Sequence, residues 1–330
     1  MPVVKLAPRA VSGHQFEIRH GDALVRVGQV AAVLREFSVA GVHFTETWTD
    51  DLVAPLGCGM VLAPWPNRVA GGRWEHQGTT QQLDITEPSR GNAIHGLLRN
   101  TAYELLEQTR DSVTLGASIY PQHGYPFTLD TSVTYTLTDA GLQVTHRLAN
   151  VGSGTAPFGI GAHPYLRVGP CAAADLTITV SGATHALVDE AMIPVSKESV
   201  EGRHVDLRGG VRVGEIKADV ALTDLAVSDG RVEHRLAAPD GTALVLWADE
   251  VFGWVQVFSP PGFPVPGRSD QRVAIAVEPM TCAVNAFNSG DGLLWLEPGA
   301  KWSASWGLRP EGFRAQHGSS MVGTGSRRPG

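Results

Sequence analysis

Short segments in which apolar and polar residues alternate dominate the chain. In residues 129–137 the apolar residues Leu129, Val133, Tyr135 and Leu137 fall on one face at period two. The pattern resumes through 142–148 after a turn at 139–141, which predicts a β-hairpin. A second hairpin is predicted around the turn 239–241, between residues 232–237 and 243–247. Further strands are predicted at 23–27, 33–37, 113–120, 176–180, 254–258 and 273–277.

Helical periodicity is weak, and residues 31–37 fit a short helix or a strand equally well. Short strands with turns between them predict an all-β sandwich or barrel. No segment repeats at a period of about 20–50 residues, which disfavours a propeller. We expect a single domain over residues 1–311 and a disordered tail over the Gly-, Ser- and Arg-rich residues 312–330.

Composition narrows the function classes. The chain has 330 residues, 43% of them hydrophobic and 18% charged, so it can bury a large core. A net charge of −7 without basic clusters disfavours nucleic-acid and anionic-membrane partners. We also expect no membrane span, because no apolar run reaches about 18 residues, and no signal peptide at the N-terminus.

The number and spacing of the cysteines indicate the redox state of the cellular compartment. Cys58, Cys171 and Cys282 are isolated along the chain and odd in number. They fit neither a disulfide framework nor a paired-cysteine metal site. We therefore expect a reducing, cytoplasmic setting.

Three residues stand out as candidates for acid/base chemistry. His95 lies in a glycine-containing loop, where the backbone can approach a ligand closely. His163 precedes a proline, which restricts its backbone to extended conformations. Glu278 ends an apolar strand, and a buried carboxylate needs a partner or a raised pKa. Structural hydrogen bonding at strand ends is the alternative explanation for each.

A fourth segment, residues 63–73, carries Asn67 and Arg68 in a Pro- and Gly-rich loop. The guanidinium of Arg68 offers a fork of donors for hydroxyls or carboxylates. A surface loop with solvated arginines would have the same composition.

Taken together, these segments resemble the aldose 1-epimerase (mutarotase) family, and the bacterial branch more closely than the branch of the animal galactose mutarotases. The resemblance covers about residues 15–309 and consists of five motifs in the order of the family. They are Asn67-Arg68 with Gly71-Gly-Arg73, Asn92-Ala-Ile-His95-Gly, His163-Pro-Tyr165, Glu278-Pro-Met-Thr-Cys282 with Asn285-Ala-Phe287, and Leu296-Glu-Pro-Gly299.

The resemblance implies a galactose mutarotase-like β-supersandwich of antiparallel sheets with an open sugar-binding cleft. It implies an isomerase that interconverts the α and β anomers of free aldoses such as glucose and galactose without cofactor or metal. The expected partner is a small sugar, and the expected assembly is a monomer or a weak homodimer.

The resemblance also implies roles for individual residues. Glu278 matches the general base, protonated His163 the general acid, and His95 the second histidine, near the ring oxygen. Arg68 matches the sugar-binding arginine, and Asn67 precedes it in the same motif. For the aspartate that grips sugar hydroxyls, Asp219 fits best, and Asp224 and Asp249 are the alternatives.

Several questions stay open at this point. Trp65, Tyr165 or Trp254 could stack on the sugar or simply pack in the core. The sequence is also compatible with four other functions. Two are a carbohydrate-binding protein without activity and a mutarotase for a modified sugar. The others are a metalloenzyme with two histidines and a carboxylate, and a glycosidase that uses a second carboxylate.

Overall fold

Antiparallel β-strands account for most elements of the chain in a computed structural model that describes residues 9–264 and 271–313. The predicted all-β class is confirmed. The predicted tail falls almost entirely on residues 314–330, which lie outside the described residues. Strand Lys301–Glu311 is the last element of the described chain.

A ten-stranded sheet forms one layer of the molecule. Both predicted hairpins lie in it and are confirmed, with Thr138 paired to Gly141 in the first and Ala237 paired to Ala243 in the second. In spatial order its strands are Glu104–Gln108, Ser112–Ile119, Leu129–Thr138, Gly141–Asn150, Lys301–Glu311, Ala243–Asp249, Arg231–Ala237, Thr177–Val180 and Val211–Arg212, with Val227–Ser228 paired to Arg231–Ala237.

An eight-stranded sheet forms the second layer and carries the polar segments singled out above. The predicted strands near 254–258 and 273–277 are both in it. Its strands, in spatial order, are Pro194–Ser199, Thr184–Val188, Asp219–Thr223, Trp254–Phe258, Ile275–Met280, Gly161–Ala162 and Val61–Leu62, with Tyr165–Leu166 paired to Ile275–Met280.

Smaller elements complete the described chain. Residues 31–37, which fitted helix or strand, lead into a strand of a four-stranded sheet: Gln15–His20, Ala23–Gly28, Leu34–Val39 and Val42–His43. Four two-stranded pairs are Arg68–Val69 with Ala93–Ile94, Arg73–His76 with Thr79–Gln82, Ala156–Phe158 with Leu294–Leu296, and Phe263–Pro264 with Gln271–Arg272. The helices are the α-turn Ala286–Ser289 and the 3₁₀ turns Pro55–Gly57, Ala70–Gly72, Ala173–Asp175 and Val213–Glu215.

One hydrophobic cluster joins the two large sheets. Leu246 and Trp306 enter it from the ten-stranded sheet, and Val255, Val257 and Val277 enter it from the eight-stranded sheet. Each such side chain contributes about 1.5–3 kcal/mol when it is removed from water. Because side chains alternate along a strand, the residues between these valines face away from the core.

In the described ranges no helix is long and apolar enough to cross a lipid bilayer.

The shared core predicts a large difference between two leucine truncations. Leu246→Ala removes a fully buried side chain, and we expect it to lower the free energy of unfolding by about 2–5 kcal/mol. Leu106→Ala, on the edge strand and 60% exposed, should change it by no more than about 0.5 kcal/mol. Urea unfolding followed by tryptophan fluorescence measures both. Equal effects would contradict the assignment of the core.

Candidate active site

Three neighbouring strands of the eight-stranded sheet form the floor of an open cleft. Gln256 lies opposite Glu278 across one strand pair, and Asp219 lies opposite Phe258 across the next. Directly opposed residues share a face, and so do residues two apart along a strand. We call Asp219, Gln256, Phe258 and Glu278 the cleft floor; it is the face of the sheet opposite the valine core.

A short strand pair supplies one wall of the cleft. Arg68 is paired with Ile94, which brings the two loop motifs side by side. Asn67 and His95 both have left-handed backbones, with φ of 55° and 63°, a conformation that is uncommon outside glycine. They are held by each other: the Asn67 N–H donates to His95 Nδ1 at 3.3 Å, and the His95 N–H donates to the Asn67 carbonyl at 2.9 Å.

Gly96 allows this close approach of the loops. It has a φ of +74°, and a Cβ at this position would collide with the carbonyl oxygen of Ala63. A glycine next to His95 is therefore required by the backbone itself.

The cleft has a volume of about 440 Å³. All six residues predicted for the site line it: Asn67, Arg68, His95, His163, Asp219 and Glu278. The alternatives to Asp219 lie elsewhere. Asp224 is in the turn after strand Asp219–Thr223, and Asp249 accepts a hydrogen bond from the Ser305 N–H on the ten-stranded sheet at 2.7 Å.

A buried carboxyl and a buried imidazole lie side by side in this cleft. His163 Nε2 is 3.4 Å from Glu278 Oε1, and both residues are almost fully removed from solvent. Glu278 Oε2 and His163 Nδ1 have no hydrogen-bond partner among the described residues. The His163 ring stacks on Tyr165, with 5.3 Å between ring centroids, which fixes its orientation.

Burial shifts the proton affinities of the two groups in opposite directions. It raises the pKa of Glu278 well above its ordinary value; the charge of Asp219 raises it further, while Arg68 lowers it. Burial lowers the pKa of His163 to about 4. The family resemblance implied a protonated His163, whereas burial favours a neutral imidazole beside a protonated carboxyl.

His95 is also held neutral. Burial lowers its pKa well below the ordinary value, and the nearby His163, Arg68 and Arg99 add to the shift. Because Nδ1 accepts from the Asn67 N–H, the neutral ring carries its hydrogen on Nε2. His95 is thus a neutral hydrogen-bond donor.

Arg68 is not a lone cation in the cleft, because Glu87 binds it through two parallel hydrogen bonds. Arg68 Nε donates to Glu87 Oε2 at 2.8 Å and Nη2 donates to Oε1 at 2.9 Å. Glu87 lines the cleft but was not among the site residues predicted from the sequence. No local pattern marks it, since its pairing with Arg68 arises only in the folded chain.

Gln256 is a second residue that sequence reasoning missed. It accepts from Asn67 Nδ2 at 3.4 Å and donates to Asp219 Oδ1 at 2.6 Å, so it links the wall to the cleft floor. A signal for it existed: an amide in the middle of an otherwise apolar strand needs buried hydrogen-bond partners.

For Trp65, Tyr165 and Trp254, stacking on the sugar and packing in the core were both open, and none of the three lines the cleft. Trp65 packs on Tyr125 and Phe287, with centroids 6.3 and 5.3 Å away.

The other two aromatic candidates are buried as well. Tyr165 lies behind His163, and Trp254 is buried beside Met280. Phe258, on the cleft floor, is the aromatic side chain that faces the cavity.

Asn285, from the fourth motif, supports the wall. Its N–H donates to the Arg68 carbonyl at 2.7 Å, and its side-chain oxygen accepts from the Ala70 N–H at 3.0 Å. The motif therefore fixes the backbone on both sides of residue 69.

A metalloenzyme with two histidines and a carboxylate was one of the alternative functions. In the described ranges no group of three or more His, Cys, Asp or Glu side chains is arranged to hold a metal ion.

Comparison with known proteins defines the class. Residues 17–309 match the aldose 1-epimerase family model, and the chain belongs to this family. By its family the protein is an enzyme of the isomerase class.

Individual relatives agree with this assignment. The chain is 33% identical over 301 residues to the uncharacterized protein YihR of Escherichia coli K12, covering 91% of this chain and 94% of that protein. It is 30% identical over 167 residues to rat galactose mutarotase, covering 48% of this chain and 47% of that protein. A galactose mutarotase-like protein from Clostridium acetobutylicum shares the fold, with a TM-score of 0.78 at 17% identity over 89% of this chain and 94% of that chain.

The buried carboxyl predicts a pH-dependent stability difference. Below the unfolded pKa of Glu278, about 4.5, both states hold the proton and ionisation contributes nothing. As pH rises, the unfolded state ionises while the folded state retains the proton, so the wild type loses stability up to the raised folded pKa. Glu278→Gln removes this loss. The melting temperature of Glu278→Gln minus that of the wild type should therefore increase between pH 4.5 and 8.

Thermal unfolding at a series of pH values tests this expectation. The exposed Glu107 on the edge strand offers a matched substitution, and Glu107→Gln should show no such trend. A difference for Glu278→Gln that stays flat with pH would contradict the raised pKa.

Proposed function

We propose that the protein is an aldose 1-epimerase that interconverts the α and β anomers of free hexopyranoses such as glucose and galactose. The observation that supports this most directly is the 3.4 Å separation of Glu278 and His163 at an open cleft. Ring opening removes a proton from the C1 hydroxyl and adds one to the ring oxygen. Both oxygens are bonded to C1, so the base and the acid must be neighbours.

The two groups hold one proton between them. Burial favours its position on Glu278. Transfer of this proton to His163 Nε2 when sugar binds yields the carboxylate base and the imidazolium acid, and catalytic hydrogen bonds often shorten in the complex. Glu278 then takes the C1 hydroxyl proton while His163 protonates the ring oxygen. Rotation about C1–C2 exposes the other face of the aldehyde, and the reverse transfers close the ring.

The remaining cleft residues hold the sugar. His95 Nε2–H would donate to an oxygen next to His163, whose ring centroid is 5.5 Å away. Arg68 and Asn67 on the wall and Asp219 on the cleft floor would bind hydroxyls, and Phe258 would pack on the apolar face of the ring. Fixed orientation matters here, because both proton transfers need short paths at the same time.

The proposed reaction consists of proton transfers and a bond rotation, so no cofactor is required. We further propose a reducing, cytoplasmic location and a monomer or weak homodimer. The three free cysteines support the location.

Polarimetry tests the activity. Freshly dissolved α-D-glucose or α-D-galactose should approach its final optical rotation faster with protein than in weak buffer alone. Glu278→Gln and His163→Asn should each lower kcat by about 10²–10⁴-fold, the usual contribution of general acid–base catalysis. Glu107→Gln and His123→Asn, both exposed and outside the cleft, should leave the rate unchanged.

Two other results would contradict the proposed activity on glucose and galactose. Sugar binding in a calorimeter without any acceleration would mean a carbohydrate-binding protein instead. If neither glucose nor galactose responds, a panel of other aldoses and modified sugars decides between a different substrate and loss of the activity.

The single proton shared by Glu278 and His163 predicts a bell-shaped pH profile of kcat/KM. Below about pH 4 both His163 and Glu278 are protonated and no base remains. Above the raised pKa of Glu278 the pair has lost its only proton and no acid remains. Since the charge of Asp219 raises the pKa of Glu278, Asp219→Asn should shift the alkaline limb to lower pH. A wild-type alkaline limb near pH 4.5 would contradict the assignment.

A further inference from the structure

Glu87 determines which donors Arg68 offers to the cleft. A guanidinium has five N–H groups in a rigid plane. Glu87 accepts from Nε and Nη2, and Nη1 lies 3.3 Å from Asn67 Oδ1. One hydrogen on Nη1 and one on Nη2 are left without these partners. The carboxylate therefore sets the direction in which Arg68 can donate to a sugar.

Glu87 is itself firmly held. Its side chain is only 12% exposed, and it also accepts from Arg90 Nη1 at 3.0 Å and Asn92 Nδ2 at 3.2 Å. Its backbone forms a bridge with Asn92, in the motif that leads to His95. Burial alone would raise the pKa of Glu87, but the bonds and charge of Arg68, with Asn92 and Arg90, outweigh it and hold the pKa below its ordinary value. Glu87 therefore remains a carboxylate near neutral pH.

The ion pair also controls charge near the proposed base. The titratable and charged groups that act on Glu278 are His163, Asp219, Arg68 and Tyr165. Arg68 is the cation among them, and its charge stabilises the ionised form of Glu278. The negative charge of Glu87 opposes this effect, because the two side chains form one nearly neutral unit.

We propose that Glu87 is a positioning residue of the reaction, which acts through Arg68 to aim its free donors at the sugar and to balance its positive charge beside Glu278. The inference rests on the proposed function. It assigns Glu87 no contact with the reacting atoms.

Two substitutions separate the geometric and electrostatic effects. Glu87→Gln keeps the size of the side chain and removes its charge. Without that charge Arg68 should lower the pKa of Glu278 further than in the wild type, and the loosened guanidinium should raise KM about tenfold. Glu87→Asp keeps the charge but is too short to hold both nitrogens, so KM should rise while the titration of Glu278 stays near that of the wild type.

The pKa of Glu278 can be read without turnover. Infrared spectra recorded against pH show the carboxylic acid band of Glu278, identified by its loss in Glu278→Gln. Polarimetric kinetics give KM and the alkaline limb of kcat/KM in the same variants, and calorimetry gives sugar affinity. Glu107→Gln is the matched control and should behave as wild type.

A double-mutant comparison isolates the route through Arg68. In an Arg68→Ala background, Glu87→Gln should no longer raise KM, because the guanidinium that Glu87 positions is gone. An equal rise of KM in both backgrounds would mean that Glu87 acts on the sugar independently of Arg68, and the positioning role would be wrong. If Glu87→Gln does not fold, Glu87→Asp carries the test, and an unchanged KM in that variant overturns the positioning role.

The result also distinguishes the two proposals. A wild type that accelerates mutarotation while Glu87→Gln matches it in KM and pH profile would overturn the role of Glu87 alone. A wild type without activity on any aldose would overturn the proposed function. In that case an unchanged infrared titration and unchanged sugar affinity in Glu87→Gln would overturn the role of Glu87 as well.

Discussion

The burial of one ionisable carboxyl in the floor of a β-sheet is the constraint on which the site depends. Glu278 is 2% exposed, and its Oε2 has no partner among the described residues. A charge in such a position is costly, so the group retains its proton at pH values where a surface glutamate has lost it.

The groups around Glu278 limit further charge in the cleft. His95 and His163 are held neutral by burial, and Arg68 is matched by Glu87. Within the cleft floor, the Asp219 side chain accepts a hydrogen bond from Gln256. The ionisation of Glu278 is thus governed mainly by burial and by Asp219, rather than by an unbalanced cation.

The parts of the protein that the sequence could predict share a physical basis. Period-two alternation is local, so both hairpins of the ten-stranded sheet followed from it. The site residues stood out because a carboxylate at the end of an apolar strand, a histidine next to glycine and a histidine before proline are locally unusual. Glu87 and Phe258 could not be identified from the sequence, because their places in the cleft depend on segments distant in the chain. For Trp65 the choice between sugar stacking and core packing stayed open for the same reason, because its partners Tyr125 and Phe287 lie far away in sequence.

The core and the site are coupled through strand register. Val277 lies in the hydrophobic core and Glu278, the next residue, lies on the cleft floor. A slip of one residue in strand Ile275–Met280 would exchange the two, with the carboxyl in the core and the valine in the cleft. The apolar contacts of Val255, Val257 and Val277 therefore fix the position of Glu278 opposite Gln256 and beside His163. The energy that folds the sandwich is the same energy that aligns the acid with the base, so a large core is a condition for the site and not only for stability.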